Sequence, residues 1–238
     1  MTETRQNVDA AEVAKFNALA SRWWDPEGEF RPLHEINPLR LDWIRQHVDI
    51  DGCRALDIGC GGGILAEAMA AAGAVVTGID MAEAPLSVAR LHQVESGATV
   101  QYEQATAEDM AARHPGQFDL VTCLEMLEHV PSPSRVIASA AELVKPGGHV
   151  VFSTINRNPK SFLFAIVGAE YVLKLLPAGT HEYQKFIKPS ELESWARTAG
   201  LQHKASIGLN YNPLTRDYSL GPNVDVNYLM YFQRPEAG

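Results

Sequence analysis

The chain has 238 residues, 46% of them hydrophobic and 21% charged, with a formal net charge of −9 at pH 7. Its length and composition predict one globular domain with additional segments around the core. The acidic balance argues against nucleic-acid partners, because nonspecific binding to nucleic acid requires a basic surface. We find no apolar stretch long enough to span a membrane and no secretion or transit signal, and we therefore expect a cytoplasmic protein.

The first 50 residues predict two helices ahead of the main fold. Residues 8–24 carry an apolar stripe at helical spacing, which predicts a helix that either packs on the core or caps an active site. The stripe consists of Val13, Phe16, Leu19, Ala20, Trp23 and Trp24. A second helix is expected over residues 38–48, with Asn37 as N-cap and Pro38 at the first helical position.

The most informative motif is an apolar strand followed by glycines at alternate positions. Asp57 lies near the end of this strand, and Gly59, Gly61 and Gly63 follow it. Ile64 stands where a dinucleotide-binding fingerprint has its third glycine, and no basic residue follows to bind phosphate. This uncharged loop favours the zwitterionic methionine end of S-adenosylmethionine over a pyrophosphate. The alternative is a purely structural turn between a strand and a helix.

The next two predicted strands extend the same binding edge. Residues 74–80 form a second buried strand, and its final residue, Asp80, can accept hydrogen bonds from both ribose hydroxyls. Residues 100–104 form a third strand, after which adenine can lie against the backbone and the side chain of Ala107. Together these motifs resemble the class I S-adenosylmethionine-dependent methyltransferases. The resemblance implies an α/β fold with a seven-stranded, doubly wound, Rossmann-like sheet.

The remaining elements complete one predicted methyltransferase domain. Strands are expected at residues 118–124, 149–155, 202–209 and 227–232, and a helix at residues 136–144. The predicted parts are an N-terminal helical cap (1–50), a cofactor-binding core (51–155), a helical lid or membrane-contact insertion (156–190) and a C-terminal helix with strands (191–238).

The insertion between strands five and six is too long for an ordinary connection and is therefore expected to be functional. Its middle, residues 161–176, is strongly apolar. Residues 157–188 contain five basic and two acidic residues, a local charge of +3 in an acidic protein. An apolar segment with basic flanks suits an interfacial anchor on an anionic membrane surface, and the alternative is a lid packed on the core.

The segment after strand four, residues 124–131, carries the candidate catalytic groups. If it is helical, Glu125, Glu128 and His129 share one face and could bind Mg²⁺, which would lower the pKa of a bound catechol. Alternatively, His129 takes the phenolic proton directly as a general base. A third interpretation gives these residues a role in orienting a loop or sealing the cofactor pocket.

A set of further motifs is similar to the ubiquinone-biosynthesis O-methyltransferase family. They are Arg22–Asp25, Gly28–Phe30, Pro32–His34, Ile36–Leu41, Leu124–Pro131, Val167–Tyr171, Gly179–His181, Lys185–Pro189, Gly221–Pro222 and Val224–Tyr228. The resemblance implies methylation of catechol-type hydroxyls on polyprenylated precursors, including demethylubiquinol, at two steps of ubiquinone biosynthesis. It also implies cofactor contacts by Arg40, Gly59, Asp80 and Leu124, and a metal site at Glu125, Glu128 and His129. An arginine at position 40 suits this role, because a guanidinium can pair with the cofactor's carboxylate.

Partners follow from the same resemblance. They are the polyprenyl substrate, an anionic membrane surface and a ubiquinone-biosynthesis complex. Residues 156–190 would contact the membrane surface, and the protein would then be peripheral at the inner face of the cytoplasmic membrane. Two other functions stay open from the residues alone: O-methylation of a soluble phenol, and a non-catalytic cofactor-binding or lipid-surface role.

Overall fold

The computed structural model describes residues 7–161 and 183–236, which form one β-sheet with helices on both faces. The helices are α1 (Ala10–Leu19), α2 (Arg31–Arg45), α3 (Ile64–Ala71), α4 (Glu83–Ser96), α5 (Ala107–Arg113), α6 (Pro133–Leu143), the single turn α7 (Pro159–Ser161) and α8 (Pro189–Thr198). The strands are β1 (Arg54–Ile58), β2 (Val75–Asp80), β3 (Val100–Gln104), β4 (Phe118–Leu124), β5 (Val144–Ile155), β6 (Gln202–Asn212), β7 (Asp217–Gly221) and β8 (Asn227–Gln233). Short 3-10 turns lie at Ala20–Arg22, Leu127–His129 and Tyr183–Lys185.

The sheet has the strand order β3-β2-β1-β4-β5-β8-β6-β7. Strands β1 to β5 are parallel, whereas β8, β6 and β7 are antiparallel to their neighbours. The predicted doubly wound α/β fold is confirmed, but the sheet has eight strands rather than seven. The additional strand, β7, is a five-residue strand at the edge of the sheet, paired antiparallel with β6. It was not predicted because it has no apolar run.

Alternating side chains divide the core between the two faces of the sheet. Leu56 and Val121 belong to a cluster with α5, α6 and α8, whereas their neighbours Ala55 and Leu120 belong to a cluster with α2 and α3. This alternation follows from the period of two along a strand. Because both faces are covered, polar side chains are concentrated where the parallel strands end.

The N-terminal region differs from prediction at both helices. Helix α1 begins after Asp9, whose side chain accepts hydrogen bonds from the first turn, but it ends at Leu19, and a 3-10 turn at Ala20–Arg22 follows where the helix was expected to continue to Trp24. Helix α2 begins at Arg31, so the expected start at Pro38 is wrong and Pro38 lies inside the helix. Asn37 is not an N-cap: it is buried, and its side chain donates to the carbonyl of Ile64. Burial of one continuous helix face outweighs the helix-breaking tendency of proline here.

The insertion after β5 is described only at its two ends. Residues 162–182, including most of the predicted apolar helix, lie outside the described residues. Within residues 7–161 and 183–236, no helix combines the length and apolar character needed to cross a bilayer.

Candidate active site

The carboxyl ends of β1, β2 and β4 border one cavity of about 180 Å³. Asp57 from β1, Asp80 from β2 and Leu124 from β4 all line it, as does Ala107 at the start of α5. Strand β1 lies between β2 and β4, where the strand order of the sheet reverses direction. Open α/β sheets bind ligands at such a switch point. The structure thus brings together the residues that the sequence predicted for cofactor binding.

The glycine loop has the backbone conformation that the sequence predicted. Gly59, Gly61 and Gly63 have φ values of 75°, 53° and 90°, in the left-handed region that favours glycine. The space beside all three glycines is filled by the protein itself, and beside Gly63 it is filled by the Tyr102 hydroxyl. A Cβ atom on Gly59 would meet the side chain of Met126, and one on Gly61 would meet the indole of Trp23. The loop is therefore a packing surface as well as part of the cavity wall.

Asp80 ties the glycine loop to the end of β2. Its carboxylate accepts hydrogen bonds from the backbone N–H groups of Gly61 at 2.9 Å and Ala82 at 2.8 Å. Burial raises the pKa of this carboxyl. Each carboxylate oxygen can accept a further hydrogen bond, so Asp80 retains the capacity to bind hydroxyl groups in the cavity.

Asp57 is 3% exposed and accepts a hydrogen bond from the Thr122 hydroxyl at 2.8 Å. Burial raises the pKa of Asp57 to about 7, because the charged form loses its hydration. Thr122 lies on β4 directly across from Asp57 in the parallel pairing. Sequence reasoning did not identify Thr122, since contacts between parallel strands depend on their register.

Arg40 projects from α2 into the cavity wall and is 5% exposed. Its Nη2 lies 2.9 Å from Oε1 of Glu125, a partner that the sequence did not predict. The Glu125 carboxylate also accepts hydrogen bonds from Ser153 at 2.6 Å and Asn227 at 2.9 Å. The Nε and Nη2 atoms of Arg40 are both buried without a hydrogen bond among the described residues, so the contact with Glu125 is an ion pair. Arg40 can therefore bind a second carboxylate in addition to Glu125.

The segment after β4 does not form the predicted helix. Glu125 has a left-handed φ of 54°, and only Leu127–His129 forms a 3-10 turn. The expectation that Glu125, Glu128 and His129 share one helical face is therefore wrong. The Glu128 carboxylate turns to Thr154, which donates to it at 2.7 Å, and burial raises its pKa to about 7.

These three side chains do not fit a divalent cation. Glu125 is engaged by Arg40, Glu128 by Thr154 and His129 by a residue of α1. In the part of the chain that the structure describes, no group of three acidic, histidine or cysteine side chains is arranged to hold a metal ion. The arrangement instead leaves His129 as the candidate proton acceptor.

His129 lines the cavity and lies between two side chains of α1. Its Nδ1 is 2.8 Å from Oε2 of Glu12, and its ring packs edge-on against Phe16, with centroids 5.1 Å apart. The hydrogen bond from His129 lowers the pKa of Glu12 to about 2. Sequence reasoning included Phe16 in the apolar stripe but missed Glu12. Its position one helical turn before Phe16, on the same side of α1, was the available signal.

The N-terminal helix α1 borders the cavity, and the segment that follows it joins a small apolar cluster with Phe30 and Ile64. No residue of α1 is buried, and the side chains Val13, Phe16 and Trp23 line the cavity. The His34 Nε2–H donates a hydrogen bond to the Trp23 backbone carbonyl, 2.8 Å away, which ties α2 to the end of the N-terminal segment. His181, which belongs to another of the motifs shared with the family, lies outside the described residues.

Comparison with known proteins agrees with this architecture. A family model described as a methyltransferase domain matches residues 16–205. Among solved structures, magnesium protoporphyrin IX methyltransferase from Synechocystis PCC 6803 with bound SAH superposes with a TM-score of 0.70 at 18% identity, covering 94% of this chain and 98% of that one. A SAM-dependent methyltransferase from Thermotoga maritima superposes with a TM-score of 0.67 at 18% identity over 94% of this chain and 98% of that one. At these identities the superpositions show the fold alone.

Closer relatives identify the family. The chain is 67% identical over 224 residues to the ubiquinone biosynthesis O-methyltransferase of Stutzerimonas stutzeri, covering 94% of this chain and 97% of the relative. It is 65% identical over 230 residues to the enzyme of the same name from Pseudomonas fluorescens, covering 97% and 99%. The chain belongs to the ubiquinone biosynthesis O-methyltransferase family and is an S-adenosylmethionine-dependent O-methyltransferase.

Proposed function

We propose that this enzyme methylates catechol-type hydroxyls of polyprenylated ubiquinone precursors, including demethylubiquinol, at both O-methylation steps of the pathway. The observation that carries the proposal is the position of His129, an imidazole in the wall of the cavity at the carboxyl edge of the sheet. The names of the close relatives support the same substrate class. Apolar side chains from the cap and α2, such as Val13, Phe30 and Leu33, would accommodate an aromatic ring and the first part of its tail.

The cofactor site in this proposal consists of cavity residues with complementary chemistry. The Asp80 carboxylate would bind the ribose hydroxyls, and Ala107 would contact adenine. The unpaired Nε of Arg40 would face the methionine carboxylate. The remaining proposed contacts in the cavity wall are Asp57, Gly59, Gly61 and Leu124. Gly63, the last proposed contact, does not line the cavity and would act through the conformation of the glycine loop.

When bound, S-adenosylmethionine supplies an electrophilic methyl group, whose bond to sulfur breaks as the bond to the substrate oxygen forms, leaving a neutral thioether. The protein's part is to orient the hydroxyl and remove its proton. His129 accepts that proton at Nε2 and later releases it to solvent. The Phe16 ring and the Glu12 carboxylate restrict the imidazole to one orientation during this transfer.

The polyprenyl tail adds a requirement that the described cavity does not meet. We infer from the sequence that residues 156–190 contact the tail or an anionic membrane surface, since this segment combines an apolar stretch with a local charge of +3 between residues 157 and 188. The enzyme would then act at the inner face of the cytoplasmic membrane, where other enzymes of ubiquinone biosynthesis could associate with it.

The test is methyl transfer from labelled S-adenosylmethionine to a short-prenyl catechol. We expect His129→Ala to lower kcat by about 10²-fold, the usual contribution of a general base. Chelator should leave the wild-type rate unchanged. The matched control is His203→Ala on β6, because His203 is exposed and does not line the cavity.

Four results would contradict the proposal. Full activity of His129→Ala would remove the base role, and loss of activity on chelation would favour metal-assisted deprotonation. Transfer to a soluble phenol but not to the prenylated catechol would identify a soluble-phenol methyltransferase. Cofactor binding without transfer to either substrate would indicate a non-catalytic role.

A further inference from the structure

The His129 ring is held from one side by the N-terminal cap. Its Nδ1 lies 2.8 Å from Glu12 Oε2, and both side chains are largely removed from solvent, with 13% and 14% of their surface exposed. These residues are 117 positions apart in the chain, so only docking of α1 brings them together. Phe16 packs against the same ring one helical turn further along α1.

The chemistry of the pair determines which imidazole nitrogen can accept a proton. A neutral imidazole has one N–H donor and one acceptor nitrogen, whereas an ionised carboxylate only accepts hydrogen bonds. The hydrogen bond from His129 and the nearby lysines, Lys15 and Lys185, keep Glu12 ionised by lowering its pKa. Nδ1 must then carry the hydrogen, and Nε2 has the free lone pair. No described residue forms a hydrogen bond with Nε2.

We propose that Glu12 is a positioning residue for the methyl-transfer reaction: it fixes His129 in the tautomer that accepts a proton at Nε2. This inference rests on the proposed role of His129 as the base. Because Glu12 belongs to the cap, the base is complete only while α1 is docked over the cavity. The docked position of α1 thereby determines which imidazole nitrogen can accept the proton.

Other contacts fix α1 at this place independently of Glu12. The Asn7 side chain donates to the Ser132 carbonyl at 2.9 Å and accepts from the Ser132 N–H at 2.8 Å. Asn17 accepts a hydrogen bond from the Ala84 N–H at 3.0 Å. Removal of the Glu12 carboxylate therefore should leave α1 docked, which makes its effect on His129 measurable.

The experiment is a double-mutant cycle between positions 12 and 129 in the full-length enzyme, with the short-prenyl catechol assay. We expect Glu12→Ala to lower kcat by about 10²-fold while the Kd for S-adenosylhomocysteine changes by less than about threefold. In the His129→Ala background the same substitution should have little further effect, because both residues act as one unit. Glu12→Gln repeats the cycle with a side chain of the same size, and Glu27→Gln, at an 84% exposed side chain, is the control.

A spectroscopic measurement provides a readout that a structural role would not change. In protein with 15N-labelled histidine, His129, assigned by its absence from His129→Ala, should be the Nδ1–H tautomer in the wild type. Both Glu12 variants should shift it toward the Nε2–H tautomer. The inference is overturned if the His129 tautomer is unchanged in the Glu12 variants or if Glu12→Ala keeps the wild-type kcat. It is also overturned if Glu12→Ala lowers kcat by the same factor in the His129→Ala background as in the wild type. A fully active His129→Ala would instead refute the base role itself, so the two failures are distinguishable.

Discussion

The indole of Trp23 occupies the space beside Gly61 in which the Cβ atom of any other residue would lie. Trp23 in turn stacks on Phe30, with ring centroids 3.9 Å apart. One glycine therefore serves both the sharp turn after β1 and the contact between that turn and the cap. We therefore expect a substitution at Gly61 or at Trp23 to disturb both the cap and the glycine loop.

Gly61→Ala tests this contact, and Gly52→Ala is its matched control. Both glycines have positive φ, 53° and 71°, but a Cβ on Gly52 meets nothing within 4 Å. We expect Gly52→Ala to lower the free energy of unfolding by about 1 kcal/mol through backbone strain alone. Gly61→Ala should lower the free energy of unfolding by about 2 kcal/mol more than Gly52→Ala does, because the Trp23 indole must move. Urea unfolding measures both, and equal losses would show that the indole does not restrict position 61.

Trp24→Phe tests the second tryptophan of the cap. The Trp24 indole N–H donates to the Gly62 carbonyl at 2.9 Å, and the ring stacks on His92 at a centroid distance of 3.4 Å. Phenylalanine keeps an aromatic ring but has no N–H donor, so the hydrogen bond to Gly62, which contributes about 1 kcal/mol, is lost. We expect an approximately fivefold higher Kd for S-adenosylhomocysteine by calorimetry. Trp195→Phe on α8, a tryptophan with no hydrogen bond to the glycine loop, should leave that Kd unchanged. An equal change there would contradict a specific role for Trp24.

Arg40→Met separates two roles of one arginine. The substitution leaves the Glu125 carboxylate, 17% exposed, without its cationic partner, and we expect a loss of about 3 kcal/mol in unfolding free energy. Adding Glu125→Gln should restore at least half of that loss, because no unpaired charge remains. Binding of S-adenosylhomocysteine should stay weak in both variants, since the proposed carboxylate anchor is absent. Recovery of binding in the double variant would refute the anchor role.

We expect Asp57→Asn to change the pH dependence of the free energy of unfolding. The folded-state pKa of Asp57 is about 7, above its ordinary value of 3.8, so the group's stabilising contribution is full below pH 3.8 and is lost as pH rises to about 7. Asparagine lacks this titration. The stability of the variant relative to wild type should therefore rise between pH 4 and pH 7, by at most about 1.4 kcal/mol per pH unit. Thermal unfolding of the cofactor-free proteins across this range measures it, and a constant difference would mean that Asp57 titrates normally.

Replacing Phe162, Leu163 and Phe164 with serine tests the membrane contact inferred from the sequence. Loss of three apolar side chains should weaken binding to anionic vesicles at least about tenfold, because each such side chain contributes roughly 1.5–3 kcal/mol when buried. The affinity for S-adenosylhomocysteine should not change. The control replaces Leu91 and Val94, which are 70% and 79% exposed on α4. Vesicle binding that is equal in all three proteins would remove the anchor proposal.

Local sequence patterns were enough to predict the parallel half of the sheet and the glycine loop between β1 and α3. Short buried strands ending in Asp57 and Asp80, with glycines between them, leave few alternatives, because strand periodicity and glycine conformation are local properties. Strands β3 and β4 were predicted with the boundaries that the structure has. Local rules failed where packing opposes them, as at Pro38, which lies inside α2 because the helix buries a continuous face.

The pairing of the candidate catalytic groups depends on contacts between distant segments and could not be predicted from local patterns. The spacing of Glu125, Glu128 and His129 fits one helical face, yet the positive φ of Glu125 sends the three side chains to different partners. The partner of His129 is Glu12, 117 positions earlier in the chain, and the partner of Arg40 is Glu125. Such contacts join residues distant in the chain, and they depend on how the cap docks on the sheet. Residue spacing along one element carries no information about that docking.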